Sequence, residues 1–153
     1  CISIDRRMGT DWILTPHPGE MARLTGQSIG QIQGNRTACA TQFSQRYPSV
    51  TLVLKGAGTL VAQGSRLAQN PTGNPGMSRG GSGDVLAGMI AALAAQGLSP
   101  WEAACAGVYL HGMAGDAAAA QFSEQAMLPR DLLACLPEVF LRLERFRDQH
   151  GTG

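Results

Sequence analysis

Gly73-Asn74-Pro75-Gly76-Met77-Ser78-Arg79-Gly80-Gly81-Ser82-Gly83-Asp84 runs without a break into the apolar Val85-Leu86-Ala87-Gly88-Met89-Ile90-Ala91-Ala92-Leu93. Five glycines fall within the eleven residues from Gly73 to Gly83. Gly80, Gly81 and Gly83 lack a Cβ, so the chain can turn tightly there and come close to a ligand. A helix opened by Asp84 leaves its first N–H groups without intrahelical partners. With the helix dipole, those groups make an anion site. A carboxylate beside such a site repels a phosphate, so Asp84 suits the role of general base for a hydroxyl held next to a phosphoryl group. The pattern is equally that of a flexible loop whose aspartate caps a helix. It fits neither the P-loop, which needs Gly-Lys-Ser/Thr, nor the Rossmann spacing. The neighbouring loops have to decide between the two.

Upstream, Val50-Thr51-Leu52-Val53-Leu54 is the nearly continuous apolar run of a strand covered on both faces. It delivers Lys55-Gly56-Ala57-Gly58-Thr59, and open α/β sheets bind ligands at the carboxyl ends of their strands. Lys55 there is a phosphate contact, with Gly56 and Gly58 allowing close approach to a nucleotide, or else a solvated lysine on a hairpin turn. Leu60-Val61-Ala62 and Arg66-Leu67-Ala68 read as two more strands joined through Gly64-Ser65. Trp12-Ile13-Leu14 reads as a buried strand stopped by Thr15-Pro16-His17-Pro18-Gly19-Glu20. His17, stiffened by a proline on each side, suits substrate contact or is a lone surface histidine. Ser28 predicts one helix reaching Tyr47, weak at Gly34, while the segment from Cys1 to Asp11 is polar and aperiodic.

Downstream, the helix from Asp84 is expected to reach about Gln96 and stop at Gly97. Ser99-Pro100-Trp101-Glu102 has serine, proline and glutamate at the positions that start a helix, which is expected to run to about Gln121. A last helix is predicted over Asp131 to Asp148, kinked or broken by Pro137. His111 reads as a packing or capping histidine, and Arg79 as a cation for a phosphate or for water. Strands followed by packed helices predict an α/β fold, the latter half of an open sheet.

The chain has 153 residues, enough for one domain with a core. Its formal net charge of +1 argues against nucleic acid or a membrane surface as partner. Cys1, Cys39, Cys105 and Cys135 are scattered, which argues against a zinc site or disulfide framework and fits a reducing cytoplasm. The uncharged run from Val85 to Pro100 is shorter than the roughly 20 residues of a membrane span.

Thr15-Pro16-His17-Pro18-Gly19-Glu20, Val53-Leu54-Lys55-Gly56-Ala57-Gly58-Thr59, Gly73-Asn74-Pro75-Gly76-Met77 and Gly80-Gly81-Ser82-Gly83-Asp84-Val85-Leu86-Ala87-Gly88, in that order, closely resemble the ADP/ATP-dependent NAD(P)H-hydrate dehydratase family. The likeness continues through Ala103 to Gly112. It implies a ribokinase-like fold and the dehydration of hydrated NADH or NADPH, by phosphorylation of the 6-hydroxyl and loss of phosphate. ADP or ATP would be the co-substrate, accompanied by Mg²⁺. On the matching positions the resemblance implies Asp84 as the base and a contact to the hydrated dinucleotide, together with His17. It implies Lys55, Gly56, Ala57, Gly58, Thr59 and Gly83 as nucleotide-binding, and Gly80, Gly81, Ser82 and Gly83 as an anion hole. Arg79 departs from the family's small residue.

A domain of this family is far longer than 153 residues. Residues 1–153 are therefore expected to be the C-terminal portion of one ribokinase-like domain, with its N-terminal portion and a possible fused epimerase domain lying upstream. Such a portion is expected to expose a sheet edge and form a homo-oligomer. A small-molecule kinase of the same fold, and a nucleotide-binding module without turnover, are the competing readings. The His-Pro-Gly-Glu turn favours the dehydratase.

Overall fold

A computed structural model describes residues 12–150, so the reading of the segment from Cys1 to Asp11 lies outside the described residues. The chain folds in the order β1 (Trp12–Leu14), α1 (Pro18–Thr25), α2 (Ile29–Gly34), α3 (Arg36–Arg46), β2 (Val50–Leu54), β3 (Leu60–Gln63) and β4 (Arg66–Gln69). A single 3-10 turn (Pro75–Met77) follows, then α4 (Ser82–Ala95), α5 (Pro100–Phe122) and α6 (Pro129–His150). The strands lie side by side in sequence order. β1 pairs with β2 in parallel, which requires the crossover that α1 to α3 supply. The β2–β3 and β3–β4 pairs are antiparallel, with Leu54 opposite Leu60.

Side-chain alternation along β2 sends Leu52 and Leu54 to one face, where they pack with Met21, Ile32, Ala40 and Phe43. Val53 goes to the other face with Val61, beneath Leu86, Ile90, Ala103, Ala104 and Val108 of α4 and α5. Burying each large aliphatic side chain is worth about 1.5–3 kcal/mol, so β2, buried at all five positions, anchors both layers. The helices α4 and α5 cross closely: a Cβ on Gly107 would stand 2.5 Å from Ile90 Cγ1. α6 then lays Leu132, Cys135 and Val139 against Leu110, Ala114 and Ala118 of α5.

Five local expectations need correction. The helix predicted from Ser28 to Tyr47 is two helices, because Asn35 leaves helical geometry (φ −150°, ψ 69°) and its side chain accepts from Ala38 N–H to cap a new one. β1 is half-buried rather than buried, since it is the outer strand of the described sheet. Helix α4 opens at Ser82 after the left-handed Gly81 (φ 94°), so Asp84 is its third residue and not its opener. The last helix begins at Pro129, with Asp131 accepting from Leu128 N–H at 2.7 Å. Of the two alternatives at Pro137 the break is the one to correct: the helix is uninterrupted there, with buried Leu132, Cys135 and Val139 holding it on both sides of the proline. Among the described residues no helix is long and apolar enough to cross a membrane.

Candidate active site

Three loop ends meet above the carboxyl edges of β1 and β2. At the first, Pro16 accepts a hydrogen bond from Lys55 N–H at 2.9 Å, which joins the two strand ends. His17 caps α1 through Nδ1, which accepts from Gly19 N–H at 3.0 Å and Glu20 N–H at 3.2 Å. Glu20 closes the box by accepting from His17 N–H at 2.7 Å. That backbone hydrogen bond, with the charge of Lys55 a smaller contribution, holds the Glu20 carboxyl below its usual range. Nδ1 is thus committed to the helix, and Nε2 of the exposed ring lies 3.5 Å from Glu20 Oε1.

Lys55 is the hub. Its Nζ lies 3.9 Å from Glu20 Oε2, and a Cβ on Gly83 would stand 3.0 Å from the same Nζ. Gly83 has no side chain where the ammonium comes in, and the basic end of one loop meets the amide-rich start of α4. Gly56 (φ 144°) and Gly58 (φ 60°) adopt backbone angles that L side chains avoid, which gives the turn from Gly56 to Thr59 its shape.

At the start of α4, Ser82 N–H donates to Arg79 O at 3.2 Å, while Gly80, Gly81 and Gly83 N–H have no acceptor among the described residues. The Ser82 side chain is buried and turned away from the loop toward His111. His111 Nε2 lies 3.0 Å from Ser82 O; a carbonyl only accepts, so Nε2 carries the proton. The open donors of the cradle are therefore Gly80, Gly81 and Gly83. Arg79, the one cation of the stretch, donates to Gln125 O between α5 and α6. The Asp84 carboxylate is exposed and has no hydrogen-bond or ion-pair partner among the described residues. An acid free of structural obligations beside open amides is available for chemistry.

Burial, offset in part by the bond to Ser82, pushes the His111 pKa below its usual value. A depressed histidine stabilises the fold fully above the unfolded value of about 6.5 and loses that contribution as pH falls from there toward the folded value. Thermal midpoints measured from pH 8 to pH 5 should therefore fall on acidification, and the fall should be shallower in His111→Gln.

Two further residues hold these loops and were not singled out from the sequence. Arg36 donates to Leu54 O at 2.9 Å and also to Ala57 O, reaching across from α3. Asp116 accepts from Gly73 N–H and from Asn74 Nδ2, both at 3.0 Å, while Asn70 and Thr72 donate to Val108 O and Tyr109 O. The segment from β4 to the cradle is thus laced along α5. The one acid within the alanine-rich run from Ala103 to Ala120 was the available signal for Asp116.

Comparison with known proteins places this geometry. Among solved structures, a ribokinase-like superfamily protein of Enterococcus faecalis superposes with a TM-score of 0.71 at 35% identity, over 85% of this chain and 44% of that one. The fold is therefore ribokinase-like, a mixed open sheet with helices on both faces. Residues 5–138 match the NAD(P)H-hydrate dehydratase family, and the chain belongs to it. The ADP/ATP-dependent NAD(P)H-hydrate dehydratase of Bacillus subtilis, co-crystallised with ATP and Mg²⁺, superposes with a TM-score of 0.81 at 36% identity, over 85% of this chain and 47% of that one. The bifunctional NAD(P)H-hydrate repair enzyme Nnr of Moorella thermoacetica is 53% identical over 86% of this chain and 25% of its own length. The ADP-dependent (S)-NAD(P)H-hydrate dehydratase of Neisseria meningitidis is 46% identical over 80% of this chain and 40% of its own length. The chain spans between a quarter and a half of the length of these proteins.

Proposed function

We propose that this chain carries the nucleotide and phosphoryl-acceptor machinery of an ADP- or ATP-dependent NAD(P)H-hydrate dehydratase, as the C-terminal portion of its ribokinase-like domain. The observation that carries the reading is the unpartnered Asp84 at the start of α4, beside open Gly81 and Gly83 amides, with Lys55 at Gly83.

In this reading the turn from Lys55 to Thr59 and Gly83 bind the adenine nucleotide, and His17 contacts the hydrated dinucleotide. Asp84 takes the proton of the 6-hydroxyl, whose oxygen then attacks the terminal phosphorus of the nucleotide. The phosphoryl group passes over the Gly80–Gly83 segment, where amides rather than side chains meet its oxygens. The nucleotide, one phosphate shorter, departs as the leaving group; phosphate then leaves C6 with the C–O electron pair, C5 gives up a proton to water, and the C5–C6 double bond is restored. Among the described residues no group of three or more His, Cys, Asp or Glu is placed to hold a metal ion. Mg²⁺ would arrive on the nucleotide's phosphates and neutralise their charge.

The free thiols of Cys39, Cys105 and Cys135 support work in a reducing cytoplasm. Exposed Leu133, Phe140 and Leu141 on α6 support self-association.

The test is an assay of the full-length protein with hydrated NADH and either ADP or ATP. Return of the reduced-nicotinamide absorbance is the expected result. A stable phosphorylated product would make the protein a small-molecule kinase instead, and nucleotide binding without turnover would make it a binding module.

A further inference from the structure

Arg36 has a position that helix formation does not explain. It is the first residue of α3, where the helix dipole disfavours a cation, and among the described residues no carboxylate lies within ion-pair distance of it. Its Nε is buried without an acceptor. What the guanidinium does reach is the floor of the turn after β2. One amino group donates to Leu54 O at 2.9 Å and the other to Ala57 O, so the fork spans Lys55 and Gly56. A Cβ on Gly56 would stand 3.0 Å from the guanidinium carbon, so the turn closes directly on the arginine. Only a planar group with divergent donors can hold two carbonyls on either side of a glycine in this way.

We propose that Arg36 is a positioning residue for the phosphoryl donor: by bridging the Leu54 and Ala57 carbonyls it fixes the Lys55–Thr59 turn in its binding conformation before the nucleotide arrives. The inference rests on the reading of that turn as the nucleotide site. The cost of a desolvated arginine is then offset by order in a glycine turn that would otherwise sample many conformations.

The experiment uses the full-length protein and its Arg36→Gln and Arg36→Lys variants. Mg²⁺–ADP and Mg²⁺–ATP are titrated by calorimetry, KM and kcat are measured with hydrated NADH, and amide exchange is followed in the ligand-free state. Arg36→Gln should weaken nucleotide binding roughly tenfold, the scale of one charged hydrogen bond, and raise the nucleotide KM with kcat within about twofold. The amides of Gly56 to Thr59 should exchange faster while those of β2 and β3 keep their protection. Arg36→Lys should behave like the glutamine variant, because one ammonium cannot span both carbonyls. Full affinity in Arg36→Gln, recovery in Arg36→Lys, or an unchanged turn with faster exchange across the whole sheet would each overturn the proposal. Should Arg36→Gln fail to fold, Gly56→Ala pushes the turn off an intact arginine, and unaltered nucleotide affinity there would overturn it equally. A wild-type protein that binds neither nucleotide refutes the nucleotide reading itself, whereas the exchange data still report whether Arg36 orders the turn.

Discussion

Asp84→Asn in the full-length protein is expected to lower kcat by about 10²–10⁴-fold, the range for loss of a general base. Nucleotide affinity should stay within about threefold, because on the proposed reading the phosphate-facing groups are Lys55 and backbone amides, none of which the substitution removes. The two effects separate because of where Asp84 stands. It is the third residue of α4, the cap position belongs to Gly81, and no group among the described residues relies on its carboxylate. Asparagine keeps the shape of the side chain and loses its charge and the ability to accept the proton. Rapid-mixing assays of the first turnover, with calorimetry on the same preparation, make the comparison. A parallel loss of binding and turnover would assign Asp84 to the helix and leave the base unidentified.

The second large effect is on stability. Gly112→Ala should destabilise the chain by about 1–3 kcal/mol, the usual cost of overpacking, and lower the thermal midpoint by roughly 2–4 °C for each of those kcal/mol. A Cβ at this position would lie 2.0 Å from Thr72 Oγ1 and 2.8 Å from the Thr72 carbonyl carbon. Thr72 cannot swing aside cheaply, since its hydroxyl is held by Tyr109 O at 3.0 Å and Asn70 Oδ1 at 3.1 Å. Gly88→Ala is the matching control: it lies in the interior of α4 with nothing within 4 Å, so it should gain about 0.5–1 kcal/mol from helix propensity. Equal midpoints for the two variants would contradict the packing of Thr72 on α5.

Much of this architecture was legible in the residues. The apolar run from Val50 to Leu54 announced a strand covered on both faces, and Ser99 to Glu102 announced the start of α5, because those signals are local. The break at Asn35 was less legible, since an asparagine cap competes with helix continuation through a single side-chain bond. For the candidate site, the three loops stood out by their glycines and by resemblance, and the fold brings Glu20, Lys55 and Gly83 together. Their supports did not stand out. Arg36 reaches a carbonyl 21 residues away, His111 one 29 residues away, and Asp116 an amide 43 residues away. No local pattern records such a contact. Ser82, which the resemblance places in the anion hole, has its side chain buried against His111, 29 residues away, another contact that no local pattern records.

The lacing of residues 70 to 74 along α5 also bears on motion. This stretch has no regular structure before its short 3-10 turn, yet four of its residues are bonded or packed to one 23-residue helix. A segment fastened in that way moves only when the helix moves.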